Sequence, residues 1–440
     1  MKIKLTEKSY DEIMALPEEK HRKPIKPNMF FRTLLKLVSV PGLLSAKFEC
    51  KKIDMERLGK NEACLYLMNH SSFIDLEIVA GMLYPRPFNI VATTDGFVGK
   101  NWLMRQIGWI PTKKFVLDLT LIRDIKYALK HNGSSVLMFP EAGYSFDGKT
   151  TVLPESLAKF VKMLGVSVVM INTYGAFTRQ PLYNDLHKRD VNVSAEMRYL
   201  FSADEIKALD VEVIDAKINE CFAFDGFKWQ QENRIKVDSA DRADKLNRLL
   251  YKCPSCLAEG ETSGEGTRLV CKKCGKTYEL DEYGFMKALE GETEFPHIPD
   301  WYEWERECVR KELLEDKYNL DIPVDICMAV DTKRIYRVGE GRLIHNKEGI
   351  FLEGCDGKLN YHHTPITSYT ICSDFNFYEI GDVISFGNSK ALYYCFPKTE
   401  GDVVAKARLA AEELYKIVYA EKKAKAEQKK RERETKAVKA

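Results

Sequence analysis

Between residues 60 and 175 short apolar runs alternate with longer amphipathic stretches, and this alternation narrows the folds open to the chain. ACLYLMNH (63–70), FNIVATT (88–94), SSVLMFPEAG (134–143) and VSVVMINTYG (166–175) read as buried strands. Helices are expected from about Ser72 to Leu83, around 99–107, over 118–133 and over 155–165, with Gly133 and Gly165 as stops. Strands separated by helices predict an α/β layered fold with at least partly parallel strands. Sheets of that kind bind ligands at their strand ends.

Two strand ends carry chemistry. In LYLMNHSSFIDLEI (65–78) a greasy strand stops at Asn69-His70-Ser71-Ser72, and Asp75 follows one helical turn later. A carboxylate there can hold one imidazole nitrogen and leave the other free as a base, fixing the tautomer and stabilising the imidazolium. Ser71 and Ser72 are expected to cap the next helix, with Asp75 in its first turn. The second strand end, VLMFPEAGYSFDG (136–148), presents Pro140, Glu141 and Gly143 at the equivalent level.

Taken in this order, NHSSFID (69–75) and FPEAGYS (139–145) resemble the signature of the glycerolipid (1-acyl-glycerol-3-phosphate type) acyltransferase family. Its blocks run Asn-His-x4-Asp, then Phe-Pro-Glu-Gly. IGWIPTKK (107–114) and VSVVMINTYGAF (166–177) stand where that family has its second and fourth blocks. The resemblance covers roughly residues 30–200 and implies a glycerol-3-phosphate acyltransferase-like fold. It implies His70 as base and Asp75 as its partner in acyl transfer from a thioester to a lysophospholipid hydroxyl, most simply 1-acyl-glycerol-3-phosphate. Backbone N–H groups around 70–72 and 141–143 would meet the oxyanion. Asn69, Ser71, Glu141, Gly143, Tyr144 and Lys113 are the substrate-binding residues the resemblance implies. Two departures stand out: Tyr144 occupies the place of the family's arginine, and the fourth block lacks its proline. Lys113, Lys114 or Arg179 would have to supply the missing positive charge.

CPSC (253–256) and CKKCG (271–275) form Cys-x2-Cys-x14-Cys-x2-Cys. Two such knuckles make a tetrahedral all-thiolate site, so Cys253, Cys256, Cys271 and Cys274 are expected to hold a structural zinc ion. The motif resembles a zinc ribbon, and no organic cofactor is expected. The eight other cysteines, of twelve in all, are scattered singly, as in a reducing cytosol. A net charge of +2 on 440 residues does not nominate nucleic acid as a partner.

No apolar run reaches the roughly 18 residues of a membrane span. NMFFRTLLKLVSVPGLL (28–44) instead has the makeup of an interfacial helix. The last twenty residues hold nine Lys/Arg against four Glu, a basic tail. The expected partners are therefore an acyl thioester (acyl-CoA or acyl carrier protein), a lysophospholipid and a membrane surface. The expected location is cytoplasmic, peripherally attached to the inner face of the membrane.

The expected organisation is an N-terminal interfacial segment (1–50), an acyltransferase domain (51–250), the zinc ribbon (251–281) and a helical connector (282–320). A mostly-β domain (321–420) and the basic tail (421–440) complete it. Short alternating strands over 324–396 and one closing helix resemble a pleckstrin-homology or GRAM-like domain. Two alternatives stay open: an acyltransferase or transacylase on a non-phosphate acceptor, and a non-catalytic lipid-binding zinc-ribbon adaptor.

Overall fold

The computed structural model describes residues 3–116 and 118–439, and of residues 430, 431 and 433–439 the backbone alone. Three sheets organise the chain. The first contains β1 (Glu49–Ile53), β2 (Leu65–Met68), β3 (Phe88–Thr93), β4 (Trp109–Thr112), β5 (Ser135–Met138), β6 (Val168–Tyr174) and β7 (Ser194–Phe201) in the order β1-β7-β6-β2-β5-β3-β4. Only the β6–β7 pairing is antiparallel. β2 lies inside the sheet, and its side chains alternate between two cores. Leu65 and Leu67 pack with Ile125 and Leu164 on one face, Tyr66 and Met68 with Ile78 and Val79 on the other. A strand buried on both faces must be apolar throughout, which is why LYLM carries no polar residue until it leaves the sheet.

Helix α1 (Met29–Ser45) precedes this sheet, and α2 (Asp75–Leu83) follows β2. The expected start at Ser72 is thus three residues early, and the serines do not cap α2. Ile74 is the N-cap, with no side-chain bond. Capping runs the other way: the Asp75 carboxylate accepts from the Ser71 and Ser72 amides at 2.9 and 3.1 Å. The second-block segment also contains a strand, edge strand β4, where only a helix and loop were expected.

The second sheet is a small antiparallel one, β8 (Thr262–Glu265), β9 (Arg268–Cys271), β10 (Thr277–Leu280) and β11 (Met286–Ala288), around the cysteine quartet. Helix α3 (Ile298–Leu314) seats Trp301 against it, the indole donating to the Lys252 carbonyl at 3.0 Å. The third sheet comprises β12 (Leu320–Ala329), β13 (Tyr336–Asn346), β14 (Gly349–Gly354), β15 (Leu359–His363), β16 (Cys372–Phe377), β17 (Gly381–Gly387) and β18 (Leu392–Pro397). Their order is β15-β14-β13-β12-β18-β17-β16, and Thr6–Glu7 adds a short parallel pairing to β13. RIYRV and RLIHN, expected as separate strands, are the one strand β13. Gly341 does not break it; a Cβ there would collide with the Glu353 carbonyl and Ile326 of neighbouring strands.

Helix α4 (Val404–Lys439) closes the chain, so the expected basic tail continues this helix; residue 440 and the tail side chains noted above lie outside the described residues. Arg306 and Arg310 of α3 reach Glu412 and Glu413 of α4 at 2.7 to 3.1 Å. One core runs from Ile13 through Phe146, Phe177 and Trp301 to Ile326 and Leu414. The segments around Phe146 and Phe177 that follow strands of the first sheet therefore share a core with the second and third sheets.

Candidate active site

β2 and β5 are adjacent and parallel, so the turns leaving them lie side by side. That register brings His70 to Glu141 across 71 residues of sequence. His70 Nδ1 lies 3.0 Å from Asp75 Oδ2, the same oxygen that accepts from Ser71 and Ser72. Asp75 is 1% exposed and the His70 side chain 22%, so the imidazole alone of the pair faces outward. Phe139 stacks on its ring at 4.1 Å and Tyr144 packs tilted at 4.4 Å.

Glu141 is buried, and its two oxygens accept from the His70 amide at 3.0 Å and the Thr151 amide at 2.8 Å. Burial pushes its carboxyl up to about 7, against the pull of those two N–H donors. Asn69 likewise braces, its amide oxygen accepting from the Thr173 N–H at 2.8 Å and its nitrogen donating to the Thr173 carbonyl at 3.3 Å. The Ser71 amide is held by Asp75. Asn69, Ser71 and Glu141, expected to touch substrate, thus stitch the turn together and do not line the cavity in front of His70.

That cavity has a volume of about 770 Å³. His70, Ser72, Gly143 and Tyr144 stand at its polar end, with Leu76, Ile90, Trp109, Met138 and Leu157 along apolar walls. The amides of residues 70, 71, 72 and 142 are already bonded within the turns, which takes most of the expected oxyanion donors. Gly143, on the wall, is the candidate that the geometry leaves.

Of the three cations considered, Arg179 is buried elsewhere and donates to the carbonyls of Arg189 and Val191. Lys113 lines the cavity but donates to the Ser389 carbonyl. Lys114 also lines it. Burial works against the Lys114 charge, but the Cys372 thiol and the carboxylates of Asp95 and Asp374 more than offset this and hold its pKa above the usual lysine range. Cys372 and Asp374 come from β16. Asp95, Asp374, Tyr369 and Tyr378, all on the cavity wall, were not foreseen. Nothing local marks Tyr369, Asp374 and Tyr378, because they share a cavity with His70 only through tertiary packing of the C-terminal strands.

Residues 49–173 match the family model described as Acyltransferase. The chain carries an acyltransferase domain. It holds both strand-end turns, and the enzyme is an acyltransferase. No curated protein matches the chain. Among solved structures, the crystal structure of the 1-acyl-sn-glycerophosphate (LPA) acyltransferase PlsC from Thermotoga maritima matches at 16% identity with a TM-score of 0.37. That match covers 43% of this chain and 76% of the other.

Away from the acyltransferase domain, the sulfurs of Cys253, Cys256, Cys271 and Cys274 all lie within 4.8 Å of one another. The 253–274 and 256–271 pairs are 3.8 and 3.7 Å apart. A zinc tetrahedron with Zn–S of about 2.3 Å has S–S edges of about 3.8 Å, so the residues fit a structural metal site. Each knuckle turns through a left-handed residue four positions after its first cysteine. Gly275 does this at φ 77° and Leu257, without glycine's freedom, at φ 62°.

No described helix is long and apolar enough to cross a membrane. α1 nevertheless leaves Phe30, Leu37, Val38 and Leu44 exposed, Val38 to 68%. Trp102 is also exposed and packs edge-on against Phe31 of α1 at 5.8 Å, and exposed Phe73 lines the cavity.

Proposed function

We propose that this acyltransferase moves a fatty acyl group from acyl-CoA or acyl carrier protein to the free hydroxyl of a lysophospholipid. The observation that carries the reading is the His70–Asp75 pair, 3.0 Å apart, at a cavity of about 770 Å³ with apolar walls. His70 Nε2 takes the hydroxyl proton while Asp75 orients Nδ1, and the oxygen attacks the thioester carbonyl. The C–S bond then breaks, and the leaving thiolate recovers the proton from the imidazolium. A base so positioned contributes about 100- to 10,000-fold in rate. No covalent acyl-enzyme is needed.

A second reading, an acceptor without a phosphate, is favoured by Tyr144. Its ring packs on His70 where the family's arginine would reach the acceptor phosphate of 1-acyl-glycerol-3-phosphate. We further propose that the cysteine quartet is a zinc ribbon with a structural role, and that β12–β18 with α4 form a pleckstrin-homology or GRAM-like module. The exposed face of α1 supports peripheral attachment to the inner face of the membrane.

The test is purified protein with liposomes, labelled palmitoyl-CoA or palmitoyl carrier protein, and a panel of lysolipids, beside a folded His70→Ala variant. Diacylated product from wild type alone is expected. Equal product from both proteins would remove His70 from its role.

A further inference from the structure

The cavity in front of His70 is built by two parts of the chain. β16 and the segments flanking it contribute Tyr369, Ser373, Asp374, Phe375, Phe377 and Tyr378 to its wall. These residues are firmly seated. Phe375 packs on Phe146, just past Tyr144, with ring centres 4.6 Å apart, and Tyr369 packs edge-on against Phe115 at 5.4 Å. Tyr378 and Tyr394 donate to the two oxygens of Asp95 at 2.9 and 3.4 Å. Arg408 of α4 also lies over the Phe146 ring, 4.4 Å from its centre. The third-block loop therefore rests on the C-terminal module.

Asp374 is a carboxylate of β16 in this wall, lining the same cavity as His70 and Tyr144. Its neighbour Phe375 packs on Phe146, two residues after the Tyr144 that lies against His70, so Asp374 enters the wall beside the third-block loop. Burial lifts its carboxyl to about 6, opposed by Lys114 and by a bond from the Phe375 amide. A carboxylate has about four acceptor positions, and such a group in a cavity wall is completed by a donor from the ligand. The local charge argues which donor. The cavity lining carries four carboxylates, Asp95, Asp185, Asp374 and Glu379, against three ammonium groups, Lys100, Lys113 and Lys114, and Tyr144 stands where the family resemblance calls for an arginine. A phosphate dianion placed there would meet Asp374 as a like charge; a neutral hydroxyl would donate to it.

We propose that the C-terminal β module completes the acceptor site, with Asp374 accepting a hydrogen bond from a hydroxyl of a polyol head group. This rests on the acyl-transfer reading above and deepens it: the acceptor is a monoacylated lipid whose head group is hydroxyl-rich and carries no phosphate. A glycerol head group and a sugar head group share this chemistry. A site that pairs a substrate hydroxyl with a buried acceptor discriminates strongly, because the wrong ligand leaves that group unpaired.

The experiment uses the full-length protein, palmitoyl-CoA and mixed micelles containing monoacylglycerol, a monoacyl glycosylglycerol or lysophosphatidate. Wild type is expected to show kcat/KM at least about tenfold higher for one of the two polyol acceptors than for lysophosphatidate. Which polyol leads identifies the head group. Asp374→Ala should lower the polyol value about tenfold or more, and the isosteric Asp374→Asn should raise the lysophosphatidate value, so that the acceptor ratio collapses. Transfer by wild type that favours lysophosphatidate overturns the proposal and leaves the acyl-transfer reading standing. An acceptor ratio unmoved in both variants, with native circular dichroism, also overturns it. No transfer to any acceptor overturns the acyl-transfer reading and this proposal together.

Discussion

The first and third sheets face the same cavity but are built on different logic. In the first, parallel strands buried on both sides end together, and chemistry collects where they end: His70 leaves β2 and Glu141 leaves β5. In the third, β16 and the segments flanking it line the wall along their length, through a break in strand register after Asp374, and not at a strand end. The parallel sheet concentrates its reactive groups in two short turns; the antiparallel one spreads Tyr369, Asp374 and Tyr378 over ten residues of wall. Reactivity thus belongs to one sheet and lining to both. The small sheet around the cysteine quartet lines no part of that cavity and is joined to the large core through Leu269, Tyr278 and Leu280.

The largest effect should come from breaking that joint. Cys256→Ser, or prolonged chelation, is expected to remove on the order of 10 kcal/mol of folding free energy. Since domains are stable by only about 5–15 kcal/mol, the shared core should unravel. One zinc per chain by atomic absorption, and an unfolding transition that shifts sharply with chelator, are the expected readings. A metal-free protein with an unchanged transition would make the quartet four ordinary thiols.

Next in size is the brace between the two turns. Glu141→Gln replaces one carboxylate oxygen by an amide that cannot accept from a backbone N–H. Slackening the His70 turn in this way should lower kcat about 10- to 100-fold. The same residue gives a pH signature. Its folded pKa of about 7 lies above the unfolded carboxyl value, so the folded chain keeps a proton that the unfolded chain releases. Its contribution is complete below about pH 4.5 and is lost as pH rises through about 7, a swing of about 3 kcal/mol. Subtracting Glu141→Gln from wild type in urea melts between pH 4 and 8 isolates that swing; a flat difference would mean that the carboxyl is not held protonated.

Val38→Glu is smaller. It charges the exposed face of α1 and should weaken vesicle binding in flotation assays by roughly tenfold, while activity on acceptors presented in detergent stays. Lys113→Ala is smallest, within about twofold in kcat/KM, because its ammonium is bonded to the Ser389 carbonyl. A loss well beyond that would return Lys113 to the acceptor site.

How far the sequence could be read follows the same division. The first sheet was legible because buried parallel strands are apolar throughout and end abruptly, as LYLM does before Asn69. The Asp75–His70 pairing was legible in the motif, although a turn over residues 70–74, and not a helix, sets the spacing. The serines misled: Ser71 and Ser72 have the composition of caps, yet the carboxylate of Asp75 outcompetes their hydroxyls and binds their amides instead. Glu141 misled in another way, since the brace it makes to the His70 amide depends on strand order, which no local pattern records. The cysteine spacing announced its own geometry. Asp374 announced nothing, because a carboxylate in an alternating strand looks the same whether it meets solvent or a cavity.

The core that runs from Ile13 to Leu414 also sets a timetable. Asp374 leaves the ribosome about 300 residues after His70, which at roughly 5–20 residues per second is tens of seconds. Throughout that interval the base and its partner exist while the cavity wall does not. The nascent chain must therefore keep an open, greasy cleft from other hydrophobic surfaces until its last strands and final helix arrive.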